Sequence, residues 1–89
     1  MPAGQCFLVE WYQPDSTLSF DDAISRLTLA AAAAQVRVLV ALAAPSDETL
    51  FCVLAADSAE AVIEVCRLAG WHTDRITAGV EARISGVEV

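Results

Sequence analysis

Lysine is absent from this chain, and its five basic residues, Arg26, Arg37, Arg67, Arg75 and Arg83, are scattered with no two adjacent. Binding through phosphates needs clustered cations, so nucleic acid is not expected as a direct ligand. Twelve Asp and Glu bring the formal charge to -7, and an acidic leaflet repels such a surface, which argues against a membrane as partner. Histidine is almost as scarce. His72 alone cannot supply a two-histidine metal site within one subunit, and it cannot serve a nucleophile-base-acid triad and a metal together. Three cysteines, Cys6, Cys52 and Cys66, cannot all pair and show no Cys-x-x-Cys spacing. Each sits in an apolar run, where a free thiol behaves as a small buried hydrophobe. No Gly-rich phosphate loop or zinc spacing is present. Ser16, Ser19, Ser25, Ser46, Ser58 and Ser85 all fall in caps, turns, tails or helix surface.

What is present is apolar residue, 56% of 89 positions, with 19% charged. That composition belongs to a globular chain rather than a disordered one, and the length allows a single domain over residues 1–89 with a core at about 6–84. Leu27 to Ala44 is apolar apart from Gln35 and Arg37, but an Arg near its centre costs roughly 2.5–3.5 kcal/mol on insertion, so it is not expected to span a membrane. No basic, apolar leader precedes the first strand, and the cytoplasm is the expected location.

Periodicity and punctuation give four strands and two helices. Cys6 to Tyr12 is a near-continuous apolar run, suited to a central strand covered on both faces and broken at Pro14. Ser19 with Asp22 resembles a capping box opening a helix at Phe20, whose predicted inner stripe is Phe20, Ile24, Leu27, Ala31 and Ala34. The β-branched, alternating run from Val36 to Val40 switches to strand with almost no loop after Gln35. Pro45 to Glu48 is turn chemistry, and Thr49 to Ala55 returns as a second strongly apolar strand. Asp57 with Glu60 predicts a second helix over Ser58 to Ala69, with inner stripe Val62, Val65, Cys66 and Ala69 and a left-handed stop at Gly70. A last strand is expected over Ile76 to Ile84, weakened by Gly79.

The order β-α-β-β-α-β is the split βαβ arrangement of ferredoxin-like α+β folds: a four-stranded antiparallel sheet with two helices on one face. Right-handed crossovers put the first and third strands, the most apolar pair, in the centre. Phe7, Val9, Trp11, Phe51 and Val53 share one parity, and Cys6, Leu8, Glu10, Tyr12, Leu50, Cys52 and Leu54 share the other. Both sets are mostly apolar while the helices cover one face, so a homodimer through the open sheet face is expected.

The first strand from Phe7 to Tyr12, the run from Leu50 to Val62 and the exit from Ala69 to Ile76, with its pattern Ala-Gly-aromatic-x-x-Asp-Arg-Ile, resemble a family of small bacterial ferredoxin-like proteins of largely unknown function, named after a nickel-binding member. The resemblance covers about residues 7–84. It implies the ferredoxin-like fold and a dimer, and it makes transition-metal, nickel-type binding the alternative function. Where such relatives tend to carry a His on the second strand, this chain has Val40, Ala41 and Leu42, and Cys66 stands where the second helix often carries a His. Cys66 and His72, helped by a partner subunit, would be the metal ligands.

Without that alternative no cofactor is expected, and the chain reads as a small dimeric binding or regulatory module, more a binder than an enzyme. Its candidate ligand-binding residues are Glu10, Tyr12, Trp71 and His72, with a small molecule as the candidate ligand. Glu10 is the one carboxylate inside an apolar strand, either hydrated at the strand end and paired with an Arg, or desolvated as a general acid or base requires. Tyr12, two residues on, is placed to hydrogen-bond to it. Trp71 follows the Gly70 stop, where it either packs back near Cys66 or forms with His72 the lip of a cleft. Cofactor-free or heme-using chemistry of the dimeric α/β barrel type is a second alternative, resting on fold analogy.

Overall fold

The structure, a computed structural model, describes residues 5–12 and 19–83. Pro14, Ser16, Ile84 and Ser85, to which the sequence assigns a strand break, a turn, a strand end and a tail, lie outside the described residues. The elements are β1 (Gln5–Tyr12), α1 (Phe20–Ala33), β2 (Arg37–Ala44), a 3₁₀ turn (Pro45–Asp47), β3 (Thr49–Ala56), α2 (Ala59–Ala69) and β4 (Arg75–Thr77). The strands lie in the order β2-β3-β1-β4, and every neighbouring pair is antiparallel. This is the expected ferredoxin-like α+β fold, with β1 and β3 central. No helix among the described residues is long and apolar enough to cross a membrane.

Local chemistry explains most boundaries. Ser19 Oγ accepts the Asp22 N–H at 3.0 Å and opens α1. The helix ends where Gln35 turns left-handed at φ 60°, and Val36 is buried as β2 begins. Glu48, left-handed at φ 52°, closes the Pro45–Asp47 turn and returns the chain into β3. At the start of α2 the capping residue is Ser58, whose Oγ accepts the Ala61 N–H at 3.2 Å; Asp57, the expected cap, lies one residue outside. At its end Gly70 takes φ 80°, Trp71 N–H reaches the Cys66 carbonyl at 2.8 Å and Gly70 N–H the Arg67 carbonyl at 3.2 Å, a Schellman stop.

One layer boundary holds the core. Phe7, Val9 and Trp11 of β1 and Leu50, Cys52 and Leu54 of β3 are buried against Ala23, Leu27 and Ala31 of α1 and Val62, Val65, Cys66 and Ala69 of α2. The α2 stripe is as expected, but the α1 stripe is rotated. Ala23 is fully buried, whereas Phe20 is 36% exposed and Ala34 falls beyond the helix. The reason is Trp71: its indole needs a small neighbour and an acceptor, and Ala23 supplies both, its carbonyl taking Trp71 Nε1–H at 2.9 Å.

The cross-strand assignment also changes. Phe7 pairs with Leu54, Val9 with Cys52 and Trp11 with Leu50, so each β1–β3 pair joins an odd-numbered residue to an even-numbered one. Phe51 and Val53 therefore lie on the open face with Leu8 and Glu10, while Leu50, Cys52 and Leu54 face the helices. The alternation within each strand is as expected; the matching of strand to strand is reversed. The last strand is shorter than expected, Arg75–Thr77 among the described residues. After it Gly79 turns at φ 69°, although Val80 N–H still reaches the Cys6 carbonyl at 3.1 Å.

Candidate functional site

The carboxyl end of β1 and the amino end of β4 bring five polar side chains together. Glu10 lies opposite Phe51 on one side and Arg75 on the other, so all three share the open face of the sheet. Its side chain is only 15% exposed, and Arg75 Nε lies 3.9 Å from Oε2. Two positions along the strand, Tyr12 projects from the same face and donates its hydroxyl to Glu10 Oε1 at 2.8 Å. The carboxylate thus has one oxygen engaged by a phenol and the other within Coulombic range of a guanidinium but beyond hydrogen-bonding distance.

Asp74 joins this pair to the loop that follows α2. Its N–H reaches the Glu10 carbonyl at 2.9 Å and its Oδ2 accepts the Tyr12 N–H at 2.6 Å, which ties the start of β4 to the end of β1. Its other oxygen, Oδ1, lies 3.2 Å from His72 Nε2. His72 is 71% exposed, so this pair stands at the rim, whereas Glu10 lies farther under the surface.

Of the sequence-derived candidates, Glu10 and Tyr12 are brought into direct contact and His72 is joined to them through Asp74. Trp71 goes elsewhere. Its ring is 3% exposed, 5.6 Å from the Trp11 ring at an interplanar angle of 51°, and its one donor is used by Ala23. It is a core residue and forms no cleft lip. Cys66 is fully buried on the helix side of the sheet, where burial pushes its thiol up and so disfavours the thiolate that a metal would need. The Cys52 thiol is likewise pushed up by burial. No group of three or more His, Cys, Asp and Glu fit to hold a metal occurs among the described residues, and the donor pair Cys66 and His72 is split between core and rim.

Asp74 and Arg75 are the site residues that sequence reasoning missed as participants. The signal for them was the acid-base pair directly after the helix stop, inside the exit motif, but its link to Glu10 spans more than sixty residues of chain and follows only from the β1–β4 register.

The Tyr12 hydroxyl carries a measurable signature. Hydrogen bonding to Glu10 is the main cause that pushes the Tyr12 phenol above its ordinary value, since a tyrosinate beside a carboxylate loses a hydrogen bond and gains a repulsion. Tyr12 is the only tyrosine, so an absorbance titration reads it alone. We expect its midpoint above the ordinary pKa of about 10 and expect Glu10→Gln to bring it down; an identical midpoint in both proteins contradicts the contact.

No family model and no curated protein matches the sequence. Among solved structures, the chain is similar to SCO4226 from Streptomyces coelicolor A3(2), with a TM-score of 0.70 and 25% sequence identity over 91% of this chain and 99% of that one, which sets it beside a small bacterial protein across nearly its whole length.

Proposed function

We propose that this protein is a homodimeric binding module in which two sheets close on each other through their open faces, leaving the cluster of Glu10, Tyr12 and Arg75 as a small-molecule site at the rim. The observation that carries this reading is the composition of the open face. Leu8, Val40, Leu42, Phe51 and Val53 lie on it by register, outside the core formed with the helices, and Leu42 is 57% exposed. A contiguous apolar surface of this kind on a small chain is the usual mark of an interface. The neighbouring carboxylate, phenol and guanidinium provide the few polar groups that orient a ligand against apolar walls.

Light scattering at micromolar concentration is expected to give the mass of two chains, and a monomer would reject the reading. For the ligand, a thermal-shift panel of small organic acids, phenols and amines is run in parallel on the wild type, Glu10→Gln and Tyr12→Phe. A compound bound at this site raises the midpoint of the wild type and loses that effect in both variants. Shifts that are equal in all three proteins would place binding elsewhere.

A further inference from the structure

Between α1 and β2, on the helix side of the sheet, lies a groove of about 540 Å³ that the core leaves open. The arrangement of α1 creates it. Ala23, Leu27 and Ala31 turn into the core, and the next stripe round the helix, Ile24, Thr28 and Ala32, borders the groove along the edge strand β2. Val38 and Ala41 form its floor: they pair with Leu54 and Cys52, which face the helices, and both are half-buried. On the helix wall Ala31 and Ala32 are too short to fill the space between. The volume falls within the range of about 300–1,000 Å³ that small-molecule pockets occupy.

Polar side chains along the groove are few. The Thr28 hydroxyl donates to the Ile24 carbonyl at 2.8 Å, so its proton is spent inside the helix and the wall stays close to apolar. Arg37 is the one charged residue of the lining, exposed and with no ion-pair partner among the described residues. It opens β2 directly after the end of α1, which sets the cation at one end of the groove. The acids of α1, Asp21 and Asp22, stand in its first turn, at the far end of the helix.

We propose that this groove binds a small aliphatic carboxylate, with the carboxylate on Arg37 and the chain running between α1 and β2 toward Ile24 and Ala41. A lone guanidinium matches one carboxylate through two parallel N–H···O bonds. A phosphate dianion calls for further cations, and the lining of this lysine-free chain supplies none. From Arg37 to Ala41 the strand advances roughly 13 Å, which suits an aliphatic chain of medium length. A peptide strand is the other guest that an edge strand attracts. Against it, the β2–β3 register shifts between Val38 and Val40, beside the groove, and an irregularity of this kind twists an edge away from strand addition. The site lies on the opposite side of the sheet from the open face and stands independently of the dimer and of the Glu10 cluster.

The test is calorimetric titration of the whole chain with octanoate, 1-octanol and octylammonium, with circular dichroism as the check on folding. The wild type is expected to bind octanoate about tenfold or more tighter than octylammonium, the reverse of what unspecific attraction to a chain of charge -7 gives. Arg37→Gln, at an exposed position, is expected to weaken octanoate about tenfold more than 1-octanol, as loss of a charge-assisted pair requires. Ala32→Leu, also at an exposed position, fills the groove and is expected to weaken octanoate and 1-octanol alike. No octanoate binding at millimolar concentration overturns the proposal. Equal affinity for octanoate and 1-octanol, or indifference to Arg37→Gln, overturns the carboxylate class. Indifference to Ala32→Leu puts the ligand elsewhere, the open face included, and overturns the site. Amide shifts at Thr28 and Ala32 that follow protein concentration instead of octanoate would give the groove to a second copy and overturn the proposal too.

Discussion

Trp71→Ala is expected to lower the unfolding midpoint by about 15–30 °C. Two effects add. Truncating a buried indole costs about 3–5 kcal/mol through lost transfer energy and the cavity left behind. The Ala23 carbonyl also loses its indole donor in a buried setting, and the tilted contact with Trp11 disappears. A chain of 89 residues has a total stability on the order of 5–10 kcal/mol, so the variant is left close to its unfolding threshold. For a domain of this size each kcal/mol moves the midpoint by about 4–8 °C. Trp71→Phe separates the terms: it keeps most of the packing and loses the hydrogen bond, and is expected to cost about 1–2 kcal/mol. Leu29→Ala, at a position where the side chain is largely in water, is expected to stay within about 0.5 kcal/mol of the wild type. Chemical denaturation followed by Trp fluorescence checks all three at one fixed protein concentration, since a dimer's apparent stability rises with concentration. A Trp71→Ala loss no larger than that of Leu29→Ala would mean that the indole does not bridge α1 and the sheet.

Trp71 also shows where the sequence was legible and where it was not. Its place after the Gly70 stop, and its return toward Cys66, follow from a local rule about how helices end, and the backbone obeys it. The first three strands, the turn at Pro45, the Ser19 cap and the inner stripe of α2 are local in the same sense, each written within a few residues. The α1 stripe was not, because the face that α1 turns inward is chosen by Trp71, which arrives 48 residues later to take the Ala23 carbonyl. Register behaves the same way. Within β1 or β3 the alternation is a property of one segment. Which side of β3 matches which side of β1 depends on a pairing with a helix, a strand and a turn in between, and a slip of one residue exchanges the faces. In β2 the pairing itself shifts between Val38 and Val40, an irregularity no period-two pattern contains.

The polar cluster divides along the same line. Glu10 stands out in the sequence because a carboxylate in an apolar strand has to be explained, and Tyr12 is two residues away on the same face by the strand period. Asp74 and Arg75 become partners only once β4 lies beside β1. On the outer face of α2, Arg67 pairs with Glu64, three residues before it, in a two-pronged contact with Nε at 3.1 Å from Oε1. That pair lies in water at the helix surface and adds little to stability.

Val53→Glu is the substitution whose sign depends on whether the open face is covered. Val53 sits between Leu8 on β1 and Val40 on β2, at the middle of the face and away from the helix layer. On a solvated sheet, a carboxylate there would be close to neutral: the β-branched side chain packs on little, and a glutamate in water carries no desolvation cost. Under a second copy, two-fold symmetry places one introduced carboxylate from each subunit near the centre of the interface, with no basic side chain in its row of Val40, Leu8 and Thr77; Arg75, in the next row, already faces Glu10. Leaving a charge buried without a partner costs on the order of 3–5 kcal/mol, so dimer affinity is expected to fall by about 100-fold or more. The variant should run as a monomer in light scattering at concentrations where the wild type has the mass of two chains, with an unchanged helix and strand content by circular dichroism. A Val53→Glu protein that keeps the wild-type dimer mass would put the interface on another surface.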